Sequence, residues 1–194
     1  MRLNMNLLEL THPELVFINP PCRTPEALIR WLSEPLVGRN VITDKDAFIQ
    51  SVLHRESEGP TALGEALAVP HGKSDAVQQA AFCLALFDEP VIWPGLEGDE
   101  AVRMVFLLAI PHAEAGSTHM QLLTTLTSSL AEERVRNALL AARTGEEALS
   151  ALRRETPQNA DVEPERSLVI PLILVSIAAA AFLQAGLNWA CGVS

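Results

Sequence analysis

Residues 102–110, VRMVFLLAI, are apolar at nearly every position. A strand with one wet face alternates polar and apolar side chains, so a run without alternation predicts a central strand covered on both faces. The sequence around it supplies covering layers. Thr24-Pro25-Glu26 sets a capping hydroxyl before a proline at the first helical position, which predicts a helix through Leu28, Trp31 and Leu32 that ends near Gly38. Thr43, with Asp46 three residues on, predicts a second helix through Phe48, Val52 and Leu53 to about Arg55. Two more apolar stretches of strand length, 66–69 and 80–87, come before the central run. From Thr118 the spacing turns helical: Leu122, Leu123, Leu126 and Leu130 form one stripe, continued by Val135, Leu139, Leu149 and Leu152. Helices before, between and after strands imply a layered α/β domain over residues 1–152.

Residues 153–167, RRETPQNADVEPERS, are polar and charged with two prolines, and read as a linker. Beyond it, 168–194 is an apolar tail that carries no catalytic group. Its uncharged core, 168–183, would span about 24 Å as a helix, short of the ~30 Å hydrocarbon layer, and extension through Trp189 would reach across. Pro171, Gln184 and Asn188 weaken that reading, and Arg153, Arg154 and Arg166 would hold the linker side in the cytoplasm. The tail is open between a membrane segment, the start of a truncated fusion partner and a buried amphipathic end.

A net charge of −10, with only Lys45 and Lys73 as lysines, argues against nucleic acid, which needs clustered positive side chains. An acidic surface suits a partner with a basic patch. Three cysteines, odd in number and without a CxxC pair, suggest neither a disulfide framework nor a zinc knuckle, and fit a reducing compartment. Glu9 and Glu14 break any apolar run at the start, so no secretory signal is read and a cytoplasmic location is expected.

The chemistry concentrates in residues 55–73, RESEGPTALGEALAVPHGK. Pro70 forces the residue before it to be extended and has no N–H to donate, while Gly72 leaves room for a close approach. His71 is thereby expected at a strand end, where open α/β sheets place their sites. Imidazole titrates near neutrality, so it offers an unprotonated nitrogen as nucleophile while the other nitrogen is oriented by a hydrogen bond. Such a nitrogen can attack phosphorus. The transferring group carries its charge on three oxygens, so positive and hydrogen-bonding neighbours lower the barrier. Arg55, the Thr61 hydroxyl and a second histidine downstream are the candidates. Competing readings are weaker: Gly72-Lys73-Ser74 mimics the end of a P-loop, but Leu67 stands where that motif needs its first glycine. His71, His112 and His119 lack metal-ligand spacing, with Glu114 the nearest carboxylate. His12 and His54 read as structural, Trp31 and Trp93 as core, with Trp93 alternatively bordering a docking face, and Glu65 as a solvated charge. The role of His112 is unassigned.

Taken together, Arg55-Glu56, Thr61, Leu63-Gly64 and Leu67-Ala68-Val69-Pro70-His71-Gly72 resemble the signature of the fructose/mannitol-type (type 2) enzyme IIA domain of the bacterial phosphotransferase system. His119-Met120-Gln121-Leu122-Leu123 is similar to that family's second-histidine element, and the resemblance runs over about residues 5–152. It implies a mixed, mainly parallel β-sheet with helices on both faces. It also implies that His71 is the phosphoryl acceptor, with a tele-phosphohistidine as the candidate product, that His119 is the second active-site histidine, and that Arg55 steadies the phosphoryl group. Thr61 and Gly72 would support them, with no cofactor and no metal. The implied donor is the histidine-containing phosphocarrier protein and the implied acceptor a cysteine of a sugar-specific IIB domain. The alternative is a regulatory phosphoacceptor of the nitrogen-related type, acting by phosphorylation-dependent protein binding. Two departures stand out: Ser117-Thr118 replace an acidic pair often found before the second histidine, and no IIB pattern follows the linker.

Overall fold

The structure, a computed structural model, describes residues 6–114 and 117–153, without the side chains of 114 and 117–119. The chain divides into two units, Met1–Pro157 and Gln158–Ser194, and all described residues belong to the first. The readings made for residues 154–194 lie outside the described residues.

Strand β1 (Val16–Ile18) is followed by helices α1 (Pro25–Gly38) and α2 (Lys45–Glu58). Two short strands, β2 (Leu67–Ala68) and β3 (His71–Ser74), lead to the long pair β4 (Ala81–Gly95) and β5 (Gly98–Pro111). Helices α3 (Ser117–Ala131), α4 (Glu133–Ala141) and α5 (Gly145–Arg153) close the described chain. The Thr24 hydroxyl caps α1 by accepting from Ala27 N–H, as the sequence predicts. For α2 the cap is Asp44, not Thr43: the Asp44 carboxylate accepts from Ala47 N–H, while the Thr43 hydroxyl donates to the Ala76 carbonyl. The helix also runs past Arg55 to Glu58, because the first residue able to stop it is Gly59.

The sheet order is β1-β4-β5-β2, with β3 also on β5; only β4 and β5 are antiparallel. β5, containing the apolar run, is therefore central, and its residues from Met104 to Ile110 are fully buried. β2 and β3 keep one register along β5, with Leu67 opposite Met104 and His71 opposite Leu108. They are one strand interrupted where Pro70 has no N–H to give, although the Pro70 carbonyl still accepts from Leu108 N–H at 3.0 Å.

Alternation along the strands splits the core into two layers. Cys83, Ala85, Val105, Leu107 and Ala109 face α1 and α2, whereas Phe82, Leu84, Phe106, Leu108 and Ile110 face α3, α4 and α5. Helices thus lie on both faces of a mixed sheet. Burying each Leu or Phe stabilises by about 1.5–3 kcal/mol, which is what fixes the strand registers against a one-residue slip. Among the described residues, no helix is long and apolar enough to cross a membrane.

Candidate functional site

His71 opens β3 and is placed by the register: like Leu67 and Val69 it belongs to the face shared with Leu108, towards the α3 layer. The sequence reading put it at the end of a strand. The structure puts it at the first residue of β3, paired opposite Leu108, and only 5 % of the residue is exposed. The next residue, Gly72, faces the opposite layer. A Cβ there would sit 2.7 Å from Val52 Cγ2 and nearer still to the Ser51 hydroxyl, so the room that glycine leaves is filled by α2. The Pro-His-Gly order therefore lets α2 pack directly on the strand bearing the histidine.

The ring of His71 is held through Nδ1, 3.0 Å from the Val69 carbonyl. A carbonyl only accepts, so Nδ1 carries the ring proton and Nε2 carries the lone pair. Burial drives the His71 pKa from 6.5 down to about 4; the Val69 hydrogen bond opposes this, and the positive charges of Arg55 and Lys73 add to it. At neutral pH the ring is consequently uncharged.

That shift carries a stability consequence. In the unfolded chain the imidazole takes up its proton as pH falls through about 6.5, but in the folded chain only near 4. The unfolded state binds more protons in that window, so stability declines as pH drops from about 6.5 to 4, by on the order of 3 kcal/mol from this group, and is flat in its contribution above pH 7. Denaturant titrations between pH 7.5 and 4.5, with a ring-resolved NMR titration of His71, check this; a His71 midpoint near 6.5 would contradict it.

Arg55 lies in the last turn of α2, and its Nη1 donates to the Gly59 carbonyl at 3.0 Å. It is close enough for its charge to act on both His71 and Lys73. Thr61 is 3 % exposed and its hydroxyl donates to the Glu56 carboxylate. His119 falls in the first turn of α3, and its side chain lies outside the described residues.

Other residues singled out from the sequence take structural places. Trp93 is fully buried, Trp31 meets Phe17 edge-on with centroids 4.7 Å apart, and His12 Nδ1 accepts from Glu14 N–H. His54 is exposed beside Glu58, and His112 sits 3.4 Å from Asp75. Glu65 is not merely solvated: it pairs with Arg136 at 2.9 Å, beside the left-handed turn of Gly64, Glu65 and Ala66 that feeds β2. Sequence reasoning gave no role to Lys73 or Glu56, although Glu56 adjoins Arg55 in the motif.

Residues 9–155 match the family model described as phosphoenolpyruvate-dependent sugar phosphotransferase system, EIIA 2. The chain is 49 % identical over 152 residues to the PTS system 2-O-alpha-mannosyl-D-glycerate-specific EIIABC component of Escherichia coli, a match covering 78 % of this chain and 23 % of that protein. The chain thus spans under a quarter of that relative's length. It is 32 % identical over 133 residues to the PTS system fructose-specific EIIA component of Haloferax volcanii, covering 69 % of this chain and 85 % of that one. Among solved structures it resembles the complex of enzyme IIAMTL and phosphorylated enzyme IIBMTL from Escherichia coli, with a TM-score of 0.63 and 30 % identity, over 73 % of this chain and 95 % of that one.

Proposed function

Since the chain belongs to the EIIA 2 family of the phosphoenolpyruvate-dependent sugar phosphotransferase system, we propose that it is a cytoplasmic phosphoryl carrier that accepts phosphate on His71 and passes it to a IIB cysteine during sugar uptake. The observation that supports this best is the His71 ring itself, neutral and with its proton held at Nδ1 by the Val69 carbonyl. The Nε2 lone pair attacks phosphorus on the phosphohistidine of the carrier protein; the donor N–P bond breaks as the new one forms, giving a tele-phosphohistidine. A IIB thiolate then attacks the same phosphorus, and His71 leaves as neutral imidazole, its proton still on Nδ1 and donated to the Val69 carbonyl. The Nδ1 proton need not move in either step. Arg55, with His119 as the second histidine, neutralises the charge spread over the phosphoryl oxygens.

The decisive assay incubates the full chain with phosphorylated carrier protein and then adds a IIB domain of the mannosylglycerate or the fructose/mannitol class. Label is expected first on His71 and then on the IIB cysteine. A chain that is never labelled rejects the proposal; stable label with no onward transfer to either class selects the regulatory alternative.

A further inference from the structure

Glu56 follows Arg55 on α2 and is half-buried, with both carboxylate oxygens engaged. Oε1 accepts from the Thr61 hydroxyl and Oε2 from the Trp93 indole N–H at 3.3 Å. Burial pushes the Glu56 pKa up, against the two hydrogen bonds and the nearby Arg55 charge. Taking a carboxylate out of water is costly, and two convergent donors are what hold it in place here.

The same Thr61 reaches the histidine by its backbone. Its carbonyl accepts from Val69 N–H at 3.0 Å, and the Val69 carbonyl in turn faces His71 Nδ1 at 3.0 Å. The neighbouring Leu63 N–H bonds to the Leu67 carbonyl at 2.9 Å, so the segment from Thr61 to Leu63 lies as a brace along the outer side of β2. One line of hydrogen bonds thus runs from Trp93 through Glu56, Thr61 and Val69 to the back of the imidazole.

We propose that Glu56 is a positioning residue for His71: by gripping Thr61 and Trp93 it fixes the Val69 peptide, and with it the nitrogen on which the ring proton resides. This rests on the reading of His71 as the phosphoryl acceptor. Its physical content is simple. Imidazole has two tautomers of similar energy, and only the one protonated at Nδ1 presents a lone pair at Nε2. If Thr61 loosens, the Val69 carbonyl swings off the ring plane, the Nδ1 hydrogen bond weakens, and a share of the molecules carry the proton on the attacking atom. Lid, cavity and metal roles are not needed: Glu56 touches no reacting atom and acts through two peptides.

Two readouts on the full chain test it: the ring ¹⁵N shifts of unphosphorylated His71, which report the tautomer, and the rate of labelling by phosphorylated carrier protein. Thr61→Val removes the hydroxyl while keeping the shape. It is expected to give mixed tautomers and labelling about tenfold slower, in line with small misplacements of reacting groups. Thr61→Ser restores the hydroxyl and should return both readouts close to wild type. Glu56→Gln keeps an acceptor for Thr61 but turns a donor towards the Trp93 N–H, and should fall between. A Thr61→Val chain with wild-type tautomer and rate overturns the positioning role, as does a Thr61→Ser chain as impaired as the valine variant. Should Thr61→Val not fold, Glu56→Gln decides by the same readouts, wild-type values for both counting against the role. If the wild-type chain takes no label on His71, the carrier reading fails separately, while the tautomer measurement still decides whether Glu56 orients the ring.

Discussion

His71→Ala leaves a folded chain that takes up no phosphoryl group from the carrier protein. The loss should be complete, because the acceptor atom itself is removed and, among the described imidazole side chains, no other is equivalently prepared. His54 and His112 are both exposed beside carboxylates, and neither is held on a backbone carbonyl that assigns its tautomer. Stability offers a second, independent signature. Truncating a buried ring costs about 2 kcal/mol at neutral pH through lost packing. The wild type, however, gives up stability as pH falls below about 6.5, whereas the alanine chain has no such ring to protonate on unfolding. The gap in stability between the two should therefore narrow, or reverse, by pH 4.5. Phosphate transfer to the alanine variant at any rate near that of wild type would reject the assignment, and an alanine variant that loses labelling only because it is unfolded would fail to support it. The amide spectrum separates those outcomes from the expected one.

What sequence could and could not deliver follows from the range of each interaction. Local rules placed the start of α1 to the residue, since the Thr24 cap and Pro25 act within one turn. The central strand was readable from its continuous apolar run. The far half of the hairpin was not, because Asp88-Glu89-Pro90 and Pro94 look like strand breakers. The structure shows why they are tolerated. β1 covers β4 only from Leu84 to Leu86, so beyond the bulge between Leu86 and Val91 the outer edge of β4 has no strand beside it among the described residues, and a missing proline N–H costs nothing there. β3 was missed for a related reason: Pro70 and Gly72 read as punctuation, while the pairing with β5 spans thirty-odd residues of sequence. The motif exposed His71, Arg55 and Thr61 as a set. It did not reveal that the Thr61 hydroxyl is spent on Glu56, or that α2 occupies the space over Gly72, since both depend on packing between elements.

Arg55→Ala should slow labelling of His71 by about 10²–10³-fold, the usual cost of deleting one preorganised group that meets charge developing in a transition state. The electrostatics permit a check that separates this from simple misfolding. Arg55 is one of the positive charges that hold the His71 pKa down, so its removal must raise that pKa above its present value of about 4. Burial is the larger influence and stays in place, so the new value should remain below 6.5. At pH 7.5 the ring is then neutral in both proteins, and a change in its protonation does not explain a slower reaction. What is left is the loss of a cation facing the phosphoryl oxygens. Arg55→Lys sharpens the argument: it keeps the charge, and so should keep the His71 pKa near that of wild type, but loses the planar fork that can hold the Gly59 carbonyl and a phosphoryl oxygen together. Its rate should lie between the other two. A rate within twofold of wild type for Arg55→Ala, or a His71 pKa that falls on removing the arginine, would place Arg55 away from the transferring group and leave Lys73 as the cation to test next.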